Sequence, residues 1–413
     1  MRSNYKKLGQ FIQQVSVKNN DLAVDNLLGV SITKKFIPSI ANIIGTDMTT
    51  YKIIKKGQFA YGPVTSRNGD KISVALLEDD EAIISTSYTA FEIINTNDLM
   101  PEYLMMWFRR EEFDRYARYM SYGSTREAFG WDEMCDVELP FPSIEKQREL
   151  VKEYHTITDR IKLNEQLNQK LEDTAQNIYK EWFVNFEFPD ENGKPYKSNG
   201  GEMVYCDELE MEIPKGWKAT AIGELLDDKG YIRGPFGSSL KKDDMTCSGV
   251  PVYEQQHAIN GHRNFRYFIS TEKHKELKRF TVKVNDMVIS CSGTLGKITM
   301  IKKDDAIGVI NQALLILRAN ISKIEPILLK YFLLSEQGQT SLLENSTGSA
   351  QVNIAKREII QDITFVLPSK EKLIAIESQL TIIDDYIILI TKEIELLGSL
   401  KEILLSKMAT IEG

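Results

Sequence analysis

Cysteine is scarce in this chain: Cys135, Cys206, Cys247 and Cys291 are the four in 413 residues, and no two form a C-x-x-C pair. That spacing excludes a disulfide framework and a cysteine-held zinc site, and it fits a reducing compartment. Histidine is equally sparse, also four, so the pattern offers neither an H-E-x-x-H metal site nor a Cys/His nucleophile arrangement. A phosphate loop is missing too. In SGTLGKI, residues 292–298, only two residues separate the glycines and Ile298 follows Lys297. The true motif needs four residues there and a Ser or Thr after the lysine. The stretch reads instead as a turn joining two strands, DMVISC and ITMIKK. Neither G-x-G-x-x-G nor the Asn/Asp-Pro-Pro-Tyr stretch of amino-methyltransferases occurs, and no spacing singles out a catalytic carboxylate pair. No hydrophobic run approaches the roughly 18 residues of a membrane span. The N-terminal MRSNYKKLGQFIQQV lacks the apolar core of a signal peptide. The expectation is a cytoplasmic, non-catalytic recognition or scaffold protein.

What is present is ordinary in bulk and uneven in detail. Hydrophobic residues make up 42% and charged residues 27% of the chain, as in soluble globular proteins, and the length predicts two or three domains. The net charge of -8 argues against nucleic acid until it is divided by segment. Residues 187–212 carry -6, whereas 213–369 carry +5. Within the latter, 230–303 hold 13 basic against 6 acidic side chains and three of the four histidines. There YIRGPFGSSLKK, NGHRNFRYF and EKHKELKRF interleave basic, aromatic and small polar residues. Such mixtures suit phosphate contact by Arg and Lys, and base contact by polar and aromatic groups. The candidate contacts are Arg233, Lys241, Lys242, His262, Arg263, Arg266, Lys278, Arg279 and Lys297. In the first half, Lys34, Lys35, Lys55, Lys56, Arg67 and Lys71 are weaker counterparts. An ordinary solvated basic face explains the same composition equally well.

The chain also repeats itself. PEYLMMWFRREEF from Pro101 lies over PILLKYFLLSEQG from Pro326, an offset of 225, and each reads as an amphipathic helix opened by proline. The glycine-serine stretches YGSTREAFG (from Tyr122) and STGSAQVNI (from Ser346) follow. They read as structural loops, Gly123 and Gly348 permitting tight turns beside Ser124 and Ser349. One residue of offset is then added: Met134 falls over Ile360, Asp136 over Asp362, Leu139 over Phe365, and Pro142-Ser143 over Pro368-Ser369. VELPFP and ITFVLP read as matched strands.

Each repeat closes on a long helical pattern. In the second, Ile376, Leu380, Ile383, Ile387, Ile390, Ile394, Leu397, Leu404 and Met408 recur at spacings of three and four, interrupted at Lys401. At an offset of 226 the first has Leu150, Tyr154, Ile157, Ile161, Asn164, Asn168, Leu171, Ala175, Ile178 and Trp182. Two seams of period 3.5 in one register predict helices packed along each other, and polar Asn164 and Asn168 would fix that register. Helices of about 40 residues measure roughly 60 Å, longer than the ~34 Å turn of B-DNA. The predicted layout is an α/β domain at 1–143, a long helix at 144–187 and an acidic, irregular linker at 188–213. A second α/β domain follows at 214–369 and a second long helix at 370–413.

These residues resemble the specificity subunits of type I restriction–modification systems. The likeness rests on IYKEWFVNFEFP followed by EIPKGWKATAIGEL, which resembles that family's junction between first helix and second domain. It rests also on the Pro-x-x-Glu-x-Gln helix start, matched by Pro142, Glu145 and Gln147. In the second copy Pro368 and Glu371 match, but Leu373 replaces the glutamine. NDMVISCSGTLGKI and GQFAYGPV with AIISTSYTAFEI are similar to segments of its recognition domains, and NYKKLGQFI resembles WKATAIGEL as a domain start. The resemblance implies an α+β fold of two pseudo-symmetric target-recognition domains, with their long helices packed as an antiparallel coiled coil. It implies a chain that reads a bipartite, asymmetric site on double-stranded DNA and docks two modification subunits and restriction subunits. The chain itself would bind no cofactor; S-adenosylmethionine, ATP and magnesium would belong to the partners, which flip out and methylate adenine. A coiled-coil scaffold whose globular ends bind proteins is the competing reading, favoured by the acidic total. A fused restriction–methylation enzyme would need methyltransferase motifs that are missing here.

Overall fold

The computed structural model describes residues 4–39, 45–66, 68–121, 127–344, 353–354 and 356–410. Arg67 and most of the two glycine-serine stretches, including the turns expected at Gly123 and Gly348, lie outside the described residues. The chain divides into two compact units, residues 1–162 with 396–413, and residues 163–395.

In the first unit, Ile12–Val15, Thr89–Ile93, Phe59–Tyr61 and Val74–Leu76 form an antiparallel four-stranded sheet in that order. A five-stranded sheet runs Val17–Lys18, Lys52–Lys55, Glu81–Ile84, Leu27–Val30 and Phe36–Pro38, with one parallel pairing, Leu27–Val30 on Glu81–Ile84. The opening strand Tyr5–Lys7 pairs with Glu138–Pro140, which closes the domain. Pro101 occupies the first turn of helix Pro101–Phe108, where its missing N–H costs nothing. Six successive residues of that helix, from Tyr103, are buried in a core shared with Phe59, Phe91 and Phe113.

The second unit repeats the plan. Leu226–Arg233, Leu314–Ala319, Met287–Ser290 and Ile298–Met300 form its four-stranded sheet. Val250–Tyr253 pairs in parallel with Val309–Ile310 and antiparallel with Phe268–Ile269. Lys218–Ala221 pairs with Thr364–Leu367, again first strand with last. SGTLGKI is the turn of the hairpin joining Met287–Ser290 to Ile298–Met300.

The long helices are Ile144–Phe183 and Lys370–Lys407. In the first unit Leu150, Tyr154 and Ile157 are buried in one core with Leu404 and Met408, and Ile161 and Leu397 pack on it half-buried. In the second unit Ala175, Trp182, Ile376 and Leu380 are buried together, with Ile178 and Ile383 against them. Leu171, Ile387 and Ile394 are half-buried and Ile390 is buried. Asn168 Nδ2 donates to Thr391 Oγ1 at 3.1 Å, and Thr391 in turn donates to Ile387 O at 2.8 Å. Late residues of one helix thus meet early residues of the other, the antiparallel sense. Asn164 is buried in this stretch.

One expectation is corrected. The segment read as an irregular solvated linker is folded: Met203–Cys206 pairs antiparallel with Met211–Pro214. Phe186, Phe188, Cys206 and Ile213 are buried with Trp217, whose ring stacks on Phe188 at 4.8 Å. Burial of these few side chains outweighs the acidic average, because the acids occupy the outward positions.

Candidate nucleic-acid interface

Strand direction decides which loops gather. In the second unit Arg233 faces Leu315, Ser290 faces Leu314, Ile289 faces Ile298 and Tyr253 lies beside Ile310. Residues 234–240, 254–256, 291–297 and 311–313 therefore all leave one end of the sheets. Hydrogen bonds tie them together. Gln255 Nε2 donates to the carbonyls of Ser292 and Thr294, and Ser290 Oγ donates to Thr294 O at 2.7 Å. Lys297 N donates to Ser290 Oγ at 3.0 Å, and Gln339 Nε2 anchors Gly296 O from a neighbouring helix at 3.0 Å. Asn311 N donates to Tyr253 O at 3.0 Å. Outward, this end exposes Phe236, Ser292, Thr294, Lys297 and Gln312. Hydroxyl, amide, ammonium and phenyl groups on one rigid platform can meet phosphates and base edges together.

Arg233 belongs to this end. Its guanidinium lies 5.9 Å from the Phe236 ring, and its Nη1 is buried with no hydrogen-bond partner among the described residues. Burial pushes the neighbouring Cys291 thiol up to about 11, against the lowering effect of Arg233. The thiol is therefore neutral at neutral pH and no nucleophile.

Several predicted contacts are placed elsewhere by the fold. Arg263 is held internally: its Nη2 donates to Asp305 Oδ2 at 2.9 Å and Thr299 Oγ1 at 3.1 Å, and its backbone N donates to Glu395 at 3.1 Å. It is a structural tie and not a surface cation. Arg266 makes a bidentate pair with Glu254 at 2.8 and 2.9 Å, so its charge is already matched, although its side chain stays exposed. His262 is half-buried with its ring edge-on to His257. Lys241 and Lys242 are exposed on the excursion beyond residue 240, and Lys278 and Arg279 are exposed on a separate turn leading to Thr281.

In the first unit Tyr61 faces Thr89 and Leu28 lies beside Ile84, so residues 31–35, 62–66, 68–73 and 85–88 share one end. Lys35 and Lys71 are exposed there, with Ser66, Thr86 and Ser87. Lys34 is corrected: it is buried, donating to Phe108 O and, at 2.6 Å, to Asp114 Oδ1. Burial lowers its pKa despite the Asp114 carboxylate. Lys55 and Lys56 lie at the opposite end, beside Glu81 and Asp80. The fold does not bring them to Lys71.

Sequence reasoning missed Phe236, Ser292, Thr294 and Gln312. For Gln312 a signal existed: in GVINQA the amide pair Asn311-Gln312 follows directly on an apolar run. It missed also what Gln147 does. Its side chain accepts from Met100 N at 2.9 Å and donates to Asp98 O and Pro142 O at 2.9 and 3.1 Å, clamping the approach to helix Pro101–Phe108. Among the described residues no group of histidine, cysteine and carboxylate side chains could hold a metal ion. No described helix is long and apolar enough to cross a membrane.

Two α/β repeats, each followed by a long helix and each gathering polar loops at one sheet end, define a tandem α+β protein. Residues 6–173 match the family described as type I restriction modification DNA specificity domain. The chain is 32% identical over 178 residues to the type I restriction enzyme MjaIX specificity subunit of Methanocaldococcus jannaschii, covering 43% of this chain and 38% of that one. It is 26% identical over 232 residues to the HindI specificity subunit of Haemophilus influenzae, covering 54% and 50%. The chain thus spans half or less of the curated relatives it matches. The crystal structure of the type I restriction–modification S subunit from M. genitalium superposes with a TM-score of 0.56 at 13% identity, covering 99% of this chain and 96% of that one, a likeness of fold. The chain is thus similar to type I restriction–modification specificity subunits, and the family likeness covers residues 6–173.

Proposed function

We propose that the chain is the DNA-recognition subunit of a type I restriction–modification complex, itself non-catalytic. Each domain reads one half of a bipartite, asymmetric duplex site through its loop end, and the paired helices set the gap. The observation that carries this reading is the repeat: the same strand plan gathers hydroxyl, amide and basic side chains at one end of each domain's sheets. The loop sequences differ between the domains, as two different half-sites require. Modification subunits, bringing S-adenosylmethionine, would dock on the helices, and restriction subunits, using ATP and magnesium, would join them. Exposed Ile382, Tyr386 and Leu389 on the second long helix offer an apolar surface for such docking.

The test is to co-express the chain with a modification subunit and map methylated adenines by sequencing. Exchange of residues 214–369 for another family member's second domain should change one half of the methylated motif and leave the other intact. Methylation that is unchanged by the exchange would refute the reading.

A further inference from the structure

Phe236 is the one exposed phenylalanine among 17, all of them described, and it is 64% exposed. A phenyl ring left in water costs apolar stabilisation that burial would recover, so its setting matters. The turn that carries it is built tightly. Gly234 sits so close to the opposite strand end that a Cβ there would lie 1.9 Å from Asn311 O, which excludes every other residue. Gly234 N also donates to Leu314 O at 2.9 Å, and Pro235 is buried. Gly237 then takes φ +60°, left-handed backbone that releases the chain away from the sheet. The result is a short, anchored turn that lifts one phenyl ring above the loop end, with Arg233 beneath it. Ser292, Thr294 and Lys297 stand on the adjoining turn, which Gln255 fastens.

A rigid apolar projection among hydrogen-bonding groups suits insertion at a base step, where a wedge partly unstacks the duplex and bends it. Pre-set geometry makes this cheap, since the turn loses little freedom on binding. In the first domain the corresponding strand end, at Val15, is followed by Ser16-Val17-Lys18 and carries no aromatic residue. Such a wedge would therefore belong to the second half-site alone.

We propose that Phe236 is a specificity-determining wedge that enters the base stack of the second half-site. This rests on the DNA-recognition reading above. The test uses the full chain assembled with its modification subunit and a duplex bearing the motif found by sequencing modified bases, with 2-aminopurine placed at successive steps of each half-site. Wild type should raise 2-aminopurine fluorescence at one step of the second half-site only. Phe236→Ala should abolish that rise and weaken cognate binding about 5- to 150-fold, the range for loss of one aromatic–base stack. Phe236→Trp should keep both. Binding to unrelated duplex should stay the same for all three, because phosphate contacts remain. Since the ring is exposed, thermal melting should not change, which separates lost contact from lost folding. Wild-type motif binding with no fluorescence change, or Phe236→Ala binding within twofold of wild type, overturns the wedge and leaves the recognition reading standing. A wild-type assembly that methylates no bipartite motif overturns the recognition reading itself.

Discussion

Asp384 offers the sharpest test of how the second domain is held to its helices. It is fully buried on the helix Lys370–Lys407, paired with Lys330 and, at 2.8 Å, with Lys302, which also reaches Asp385 at 3.1 Å. Asp384, Lys330 and Lys302 lie along a cleft of about 440 Å³ between the domain and the helix pair. Burial opposes the carboxylate's charge, but the two ammonium groups outweigh it and hold the Asp384 pKa below its ordinary value. Burial likewise opposes charge on Lys302, and Asp384 and Asp385 outweigh that to raise its pKa. Asp384→Asn keeps the shape and removes the charge, leaving Lys330 without its ion pair in a nearly dry setting. Breaking a buried pair from one side costs about 3–5 kcal/mol, well above the ~0–1 kcal/mol of an exposed pair. Urea denaturation of wild type and variant measures this directly. Asp384→Leu with Lys330→Met, which replaces the charges by apolar volume, should recover most of the loss. The pH dependence has a fixed sign: the folded pKa is depressed, so the contribution is complete above the unfolded value of about 3.9 and disappears as pH falls through the lower folded one. The variant should lack that part of the acid destabilisation. A loss under about 1 kcal/mol for Asp384→Asn, with an unaltered acid limb, would show the pair to be inert and the reasoning wrong.

Gln147→Leu copies the residue found at the matching position, Leu373, and leaves Met100 N–H and two carbonyls unpartnered. It should cost about 1–3 kcal/mol, measured by thermal or urea unfolding; a neutral outcome would mean that water replaces the clamp fully. Lys297→Ala and Arg263→Ala should separate cleanly. The first should weaken DNA binding across all sequences and flatten the salt dependence by about one unit of slope, with unchanged stability. The second should lower stability, because Asp305 loses its ion-pair partner. If titration of DNA at several salt concentrations shows Arg263→Ala behaving like Lys297→Ala, the internal tie is not what holds that side chain.

The legible parts of this protein are those written in local periodicity. The three-and-four spacing from Ile376 to Met408 and its echo from Leu150 to Trp182 marked both helices to within a few residues of Ile144–Phe183 and Lys370–Lys407. The proline-opened helices at Pro101 and Pro326 and the strands closing each repeat were equally readable. Charge counts served worse. They ranked Lys34 and Arg263 as surface cations, because nothing near either residue in the sequence shows Asp114, 80 positions away, or Asp305, 42 positions away. They also hid Phe186, Phe188 and Ile213 inside an acidic segment. By itself the sequence determined the repeat, the helix seam and the order of the elements, since each depends on residues a turn or a strand apart. Only the tertiary structure decided which loops share an end, which cations are already spent on internal carboxylates, and which phenylalanine is left facing outward. Those outcomes depend on pairings between distant residues, and a linear pattern carries no record of them.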